Sequence, residues 1–176
     1  TFGVVTQQGG LYWFVQVRAA PMLSVSARGS GSREGLDVAF RVILDNVTTY
    51  PVIVNWTTAP VGGNPATGDD FVGGVFPTGQ LTIQPGFAQA IIQVPTAFRS
   101  GFQGTRTFEL EIAIDPSTGF AAGIGTGTAQ SSILDSDETP SLDLVGVTTS
   151  SYEGNPTRWR LELSAPVAYD VSVNWI

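Results

Sequence analysis

Residues 38–44 read Val38-Ala39-Phe40-Arg41-Val42-Ile43-Leu44, and residues 107–114 read Thr107-Phe108-Glu109-Leu110-Glu111-Ile112-Ala113-Ile114. On an extended chain Val38, Phe40, Val42 and Leu44 share one side, as do Phe108, Leu110, Ile112 and Ile114, with Glu109 and Glu111 opposite. A period of two is that of a strand with one buried and one wet face. Val52, Val54 and Trp56 make a third such face, and Leu81 with Ile83 a fourth. Pro85-Gly86 then interrupts the chain before Ala90-Ile91-Ile92-Gln93-Val94, which predicts a hairpin about a Pro-Gly turn. Ser131 to Leu134 reads as a short last strand, and no long stretch carries the 3.6-residue period of a helix. About seven strands joined by Gly- and Pro-rich turns predict an all-β protein, an antiparallel β-sandwich.

These strands belong to a repeat. Ser32-Arg33-Glu34-Gly35 aligns with Ser151-Tyr152-Glu153-Gly154, Phe40-Arg41-Val42 with Trp159-Arg160-Leu161, and Val54-Asn55-Trp56 with Val173-Asn174-Trp175, without gaps. The offset is 119 throughout, from Pro21 over Pro140 to Thr57 over Ile176, and twelve of the 37 aligned positions are identical. Residues 21–139 therefore read as one complete unit and 140–176 as the first strands of a second. Residues 1–20 read as the last strand or strands of a preceding domain, or as an N-terminal arm. Within them Gly10 to Arg18, with Tyr12-Trp13-Phe14, reads either as a strand of an earlier sandwich or as a segment that adds to another chain's sheet edge.

Composition removes much chemistry. The 176 residues contain no His, no Cys and no Lys, and carry a net charge of −7. No Ser-His-Asp or Cys-His arrangement and no nitrogen- or sulfur-ligated zinc site can be built. The charge disfavours nucleic acid and anionic membrane surfaces as partners. No apolar run approaches a membrane span, and no basic leader opens the sequence. Carboxylates remain, as ligands for hard cations or as a catalytic pair. Glu109 and Glu111 lie side by side on one strand face, which reads as solvated surface. The Gly-rich run from Gly119 to Gly127 has no helix after it and reads as a loop, not a phosphate cradle. Trp56, Trp159 and Trp175 fall at strand positions and read as core.

Several segments, in order, resemble the Calx-beta domain family. They are Glu34-Gly35 before the first long strand, Val52-Ile53-Val54-Asn55-Trp56-Thr57-Thr58, the loop Pro65-Ala66-Thr67-Gly68-Asp69-Asp70-Phe71, Gly79-Gln80-Leu81-Thr82-Ile83-Gln84-Pro85-Gly86, the strand Thr107-Phe108-Glu109-Leu110, and the closing Ile133-Leu134-Asp135-Ser136-Asp137-Glu138. The resemblance covers 21–139 and resumes over 140–176. It implies an immunoglobulin-like sandwich of seven strands, used in tandem in bacterial surface and adhesin proteins and in the regulatory domains of sodium–calcium exchangers. It also implies calcium as cofactor, bound at one end of the sandwich near the next domain.

On this resemblance the candidate metal ligands are Glu34, Asp69, Asp70, Asp135, Asp137 and Glu138. Three positions depart from the family's acidic pattern: Phe98-Arg99, Gln103 and Arg106. Arg99 is expected to place a guanidinium where a cation would sit, paired with Asp69 or Asp135. The pattern then leaves room for a single calcium ion at the 139/140 junction rather than a multi-ion cluster. The expected function is a non-enzymatic structural or adhesive repeat of a larger extracellular or cell-surface protein. Its expected partners are neighbouring repeats, with self-association into a fibre by strand addition. The alternatives are a calcium-sensing regulatory module and a carbohydrate-binding sandwich appended to an enzyme.

Overall fold

A computed structural model of the chain describes residues 2–8, 11–17, 19–118, 122–148, 150 and 152–175, and for 2–8 and 11–17 the backbone alone. Gly10 and Arg18, expected at the ends of a strand, and Gly119, at the head of the Gly-rich loop, lie outside these residues, as do the side chains of Tyr12, Trp13 and Phe14. Strands β1 (Phe2–Gln8) and β2 (Leu11–Val17) form an antiparallel hairpin. Nine strands follow among the described residues of 21–139: β3 (Met22–Ala27), β4 (Ser32–Arg33), β5 (Val38–Leu44), β6 (Val52–Pro60), β7 (Thr78–Ile83), β8 (Gln89–Val94), β9 (Arg106–Ile114), β10 (Gly123–Ile124) and β11 (Thr128–Leu134). The second hairpin is β12 (Leu142–Gly146) with β13 (Trp159–Leu163).

Two sheets face each other, one in the order β10-β3-β5-β8 and the other β4-β11-β9-β6-β7. The all-β sandwich expected from the period-two pattern is therefore what forms, and seven of its nine strands are longer than two residues. Pairing is antiparallel except at two short edges, where β10 runs parallel to β3 and β4 parallel to β11. One expectation is corrected. Pro85-Gly86 does not close a hairpin, because β7 pairs with β6 in one sheet while β8 pairs with β5 in the other. The turn is a corner between layers. Gly86, at φ +81°, donates its N–H to the Thr48 carbonyl at 2.8 Å, and the Ala88 carbonyl accepts from Leu44 N–H at 2.8 Å.

The core is the sum of the inward faces. Val38, Phe40, Val42 and Leu44 of β5 are buried, and so are Phe108, Leu110 and Ile112 of β9. They meet Leu23, Val25, Val52, Val54, Ile83, Ile92, Val94 and Ile133 in one cluster. Phe108 sits at its centre, edge-on to Phe40 at 5.7 Å and to Phe71 at 5.2 Å between ring centroids. On the outer face Asp115 accepts hydrogen bonds from Asn55 Nδ2 at 2.8 Å, Gln80 Nε2 at 3.2 Å and Ser117 N at 2.8 Å, and from the Ser117 hydroxyl. The bonds from Ser117, then from Asn55 and Gln80, hold its carboxyl below the ordinary value.

The β12–β13 hairpin has the register of β3 and β5. Leu142 pairs with Leu163, Leu144 with Leu161 and Gly146 with Trp159, as Leu23 pairs with Leu44, Val25 with Val42 and Ala27 with Phe40. Every pair is displaced by 119 residues. The burial differs: Phe40 is 0% exposed and its equivalent Trp159 is 63% exposed, while Trp175 is 91% exposed. The expectation that all three tryptophans are core holds for Trp56, which packs on the cluster. It does not hold for Trp159 and Trp175, since among the described residues no second sheet covers their face.

Replacing Phe108 with Ala should lower unfolding free energy in urea by about 3–5 kcal/mol, because two ring contacts and a central volume are lost. The Asp115 carboxyl titrates below its unfolded value, so its contribution is complete above about pH 4 and is lost as pH falls through the folded value. Melting between pH 5 and pH 2 should show a shallower acid loss in Asp115→Asn than in the native chain.

Candidate functional site

The site lies at the pole of the sandwich where β11 ends and the chain leaves toward β12. Four segments converge there. Glu34 follows β4 and is tied down by its own N–H to the Leu134 carbonyl at 3.0 Å. Gly35, at φ +78°, turns the chain away immediately after it. Asp70 closes a single 3-10 turn, Gly68–Asp70. Here the motif Ala66-Thr67-Gly68-Asp69-Asp70-Phe71 has a mechanical reading. Ala66 and Phe71 are core residues, and a Cβ on Gly68 would lie 2.5 Å from the Gly74 carbonyl oxygen. Asp135 and Asp137 follow β11. The fourth segment is the β8–β9 loop, which brings Arg99, Gln103, Gly104 and, as the first residue of β9, Arg106.

Arg106 is the hub. It is 3% exposed and lies on the same face of β9 as Phe108, Leu110 and Ile112. Its Nη2 donates to Glu34 Oε2 at 2.8 Å, its Nη1 donates to Gln103 Oε1 and lies 3.8 Å from Asp135 Oδ2. Its Nε lies 3.2 Å from Asp70 Oδ1, within ion-pair distance but not aligned as a hydrogen bond. Asp70, fully buried, also accepts from Arg99 Nη1 at 2.9 Å, and its other oxygen takes the Thr67 N–H at 2.7 Å and the Thr67 hydroxyl at 3.2 Å. Glu34 Oε1 accepts from the Ser136 hydroxyl at 2.6 Å. Asp135 Oδ2 accepts the N–H groups of Gln103 at 2.5 Å and Gly104 at 2.7 Å, and its Oδ1 that of Asp137 at 2.8 Å.

Four of the six candidate ligands are thus gathered at this pole: Glu34, Asp70, Asp135 and Asp137. Carboxylate oxygens of Glu34, Asp135 and Asp137 lie within 4.8 Å of one another. Asp69 and Glu138 are exposed and stand outside that group. Arg99 pairs with Asp70 and not with Asp69 or Asp135, because the 3-10 turn points Asp70 inward and Asp69 out. The larger omission is Arg106, whose departure from the acidic pattern was visible but whose role was not. Its signal was period two: carried one step back from Phe108, the alternation puts Arg106 on the core face, where an arginine needs carboxylate partners.

Four carboxylates meet two guanidinium groups, so two negative charges remain. Beside them Asp137 Oδ2 is buried with no hydrogen-bond partner among the described residues. An orphan carboxylate oxygen beside two further carboxylates fits one hard cation at Glu34, Asp135 and Asp137. The pole does not fit a multi-ion cluster, because Arg106 fills the space between Glu34, Asp70 and Asp135.

No family model matches the chain, and no curated protein matches it. Solved structures do. The Calx CBD1 domain in its apo form aligns with a TM-score of 0.52 at 16% identity, over 66% of this chain and 99% of that one. The Calx CBD2 domain aligns with a TM-score of 0.50 at 14% identity, over 70% and 93%. CBD12 from CALX1.2 aligns with a TM-score of 0.50 at 19% identity, over 65% of this chain and 44% of that one. At such identities the likeness is one of fold: the chain has the immunoglobulin-like sandwich of Calx-beta domains.

Removing one member of a buried charge network leaves its partners uncompensated. Arg106→Ala should therefore cost about 3–5 kcal/mol in urea unfolding. Arg106→Lys should recover only part of it, since a point charge cannot face Glu34, Asp70 and Asp135 together. Arg99 is 30% exposed and shares Asp70 with Arg106, so Arg99→Ala should cost less, about 1 kcal/mol.

Proposed function

We propose that this chain is part of a tandem array of Calx-beta-like repeats, one over 21–139 and the next from 140, serving as a non-catalytic structural or adhesive spacer of an extracellular or cell-surface protein. The observation that carries this reading is the buried Arg106. In a pole built of convergent carboxylates it supplies the positive charge internally, so the fold stands without a cation. Calcium then adjusts the junction instead of making it.

The residual pair of charges at Glu34, Asp135 and Asp137 gives one calcium site, completed by main-chain or solvent oxygens. Three carboxylates, two already hydrogen-bonded, favour the weak end of the calcium range, about 10⁻⁴–10⁻³ M. Such a site fills where free calcium is millimolar, which is the condition outside cells and supports the extracellular reading. A calcium-sensing module would need occupancy to change a larger share of the structure than Asp137 and its neighbours. Exposed Trp159, Leu142, Leu144, Leu161 and Leu163 stand 119 residues from core positions and so read as a core-type face, not a sugar platform.

A thermal melt of the full chain should be cooperative in EDTA. One millimolar calcium should stabilise it by about 0.4–1.4 kcal/mol, a rise of a few degrees. Asp137→Asn should abolish that rise with little effect on the melt in EDTA. A chain unfolded in EDTA would overturn the reading, and a calcium rise unchanged in Asp137→Asn would overturn the site.

A further inference from the structure

Among the described residues, the two repeats share main-chain hydrogen bonds at Phe102 alone. Phe102, in the β8–β9 loop, donates its N–H to the Pro166 carbonyl at 3.1 Å and accepts the Ala168 N–H at 3.2 Å, forming an isolated parallel bridge with Val167. The loop is prepared for this. Asp135 holds the N–H groups of Gln103 and Gly104, and Asn64 Nδ2 donates to the carbonyls of Gln103 at 3.1 Å and Thr105 at 3.0 Å. Gly101, at φ +86°, takes the left-handed backbone that turns the chain into Phe102.

Pro166, Val167 and Ala168 stand 119 residues after Val47, Thr48 and Thr49. The local backbone matches, with bends at 45–46 and 49–50 in the first repeat and at 164–165 and 168–169 in the second. In the first repeat this β5–β6 corner lies at the pole opposite the acid cluster, beside Gly86 and Phe87. Val47 is 59% exposed and Phe87 is 63% exposed. The Val47 carbonyl and the Thr49 N–H, equivalents of the two groups that hold Phe102, have no hydrogen-bond partner among the described residues.

We infer that the Val47–Thr49 corner is a docking surface for the β8–β9 loop of a preceding sandwich of this same fold, which it takes through one residue's N–H and C=O as Pro166–Ala168 takes Phe102. The partner's chemistry is specified: an extended loop residue with both main-chain groups free, held out from an acidic pole by an Asp135-like carboxylate. Because recognition is by main chain, Val47-Thr48-Thr49 and Pro166-Val167-Ala168 can differ at every side chain and serve the same contact. Each repeat would then carry the loop at one pole and the corner at the other, so the contact is heterologous and propagates along the array. The inference rests on the reading of the chain as tandem repeats.

The test duplicates the repeat inside the full chain, residues 1–139 followed by 21–176, so that Thr139 precedes Pro21 as it natively precedes Pro140. The chain has no cysteine, so two spin labels can be placed without background. In the native chain they go at Glu111→Cys and Arg160→Cys, across the existing junction. In the duplicated chain they go at Glu111→Cys of the leading unit and Arg41→Cys of the following one, the equivalent positions. Double electron–electron resonance should give one narrow distance distribution, the same in both chains. A broad or displaced distribution in the duplicated chain, or a broad one in the native chain, overturns the inference. Phe102→Pro in the leading unit and Thr49→Pro in the following unit each remove one donor of the contact. Whichever keeps a cooperative melt should broaden the distribution at least twofold, and a distribution left narrow overturns the inference. A duplicated chain that does not melt cooperatively would instead strike the tandem-repeat reading.

Discussion

The pole of this sandwich depends on one buried guanidinium. Arg106 sits 2.8 Å from Glu34, 3.2 Å from Asp70 and 3.8 Å from Asp135, and these carboxylates come from three different segments. Without a counter-charge, desolvated carboxylates at this spacing would drive the segments apart. With Arg106 in place they are pulled together, and β4, the Gly68–Asp70 turn and the end of β11 are fixed relative to β9. The strong positional demand is on Arg106, because a planar fork can address several oxygens in different directions at once.

The consequences reach beyond the cluster. Asp135, steadied there, spends one oxygen on the amides of Gln103 and Gly104, and these shape the loop that meets Pro166–Ala168 through Phe102. Charge neutralisation, loop conformation and the contact with Pro166–Ala168 are thus consecutive links through the same few residues. The Calx CBD1 and CBD2 domains share the sandwich at 16% and 14% identity, which leaves the chemistry of the pole to be read from this chain's own residues.

The layers were legible from the alternation of Val38 to Leu44 and of Phe108 to Ile114, since apolar burial on one face is a local property of each strand. The 119-residue offset read from the sequence also appears locally in the structure, where the β12–β13 register matches that of β3–β5 pair for pair. The link between β7 and β8 was not. Pro85-Gly86 specifies a turn but not whether the chain returns to the same sheet, and that choice is made by β5 and β6 as neighbours. At the site, the acidic segments could be collected from the sequence, but their partners could not. Whether Asp69 or Asp70 points inward is decided by the phase of one 3-10 turn, and Arg99 reaches Asp70 only once the β8–β9 loop is folded over it. Arg106 was within reach of period-two reasoning, because it continues the buried face of β9 by one step.

A double-mutant cycle in urea between Arg106→Met and Glu34→Gln measures the central interaction directly. Each single change should destabilise, and the double should cost less than the sum by about 2–3 kcal/mol, because the second change removes a charge that the first had left unpaired. Additive effects would mean that the guanidinium does not hold this pole together, and the structural role assigned to Arg106 would be wrong.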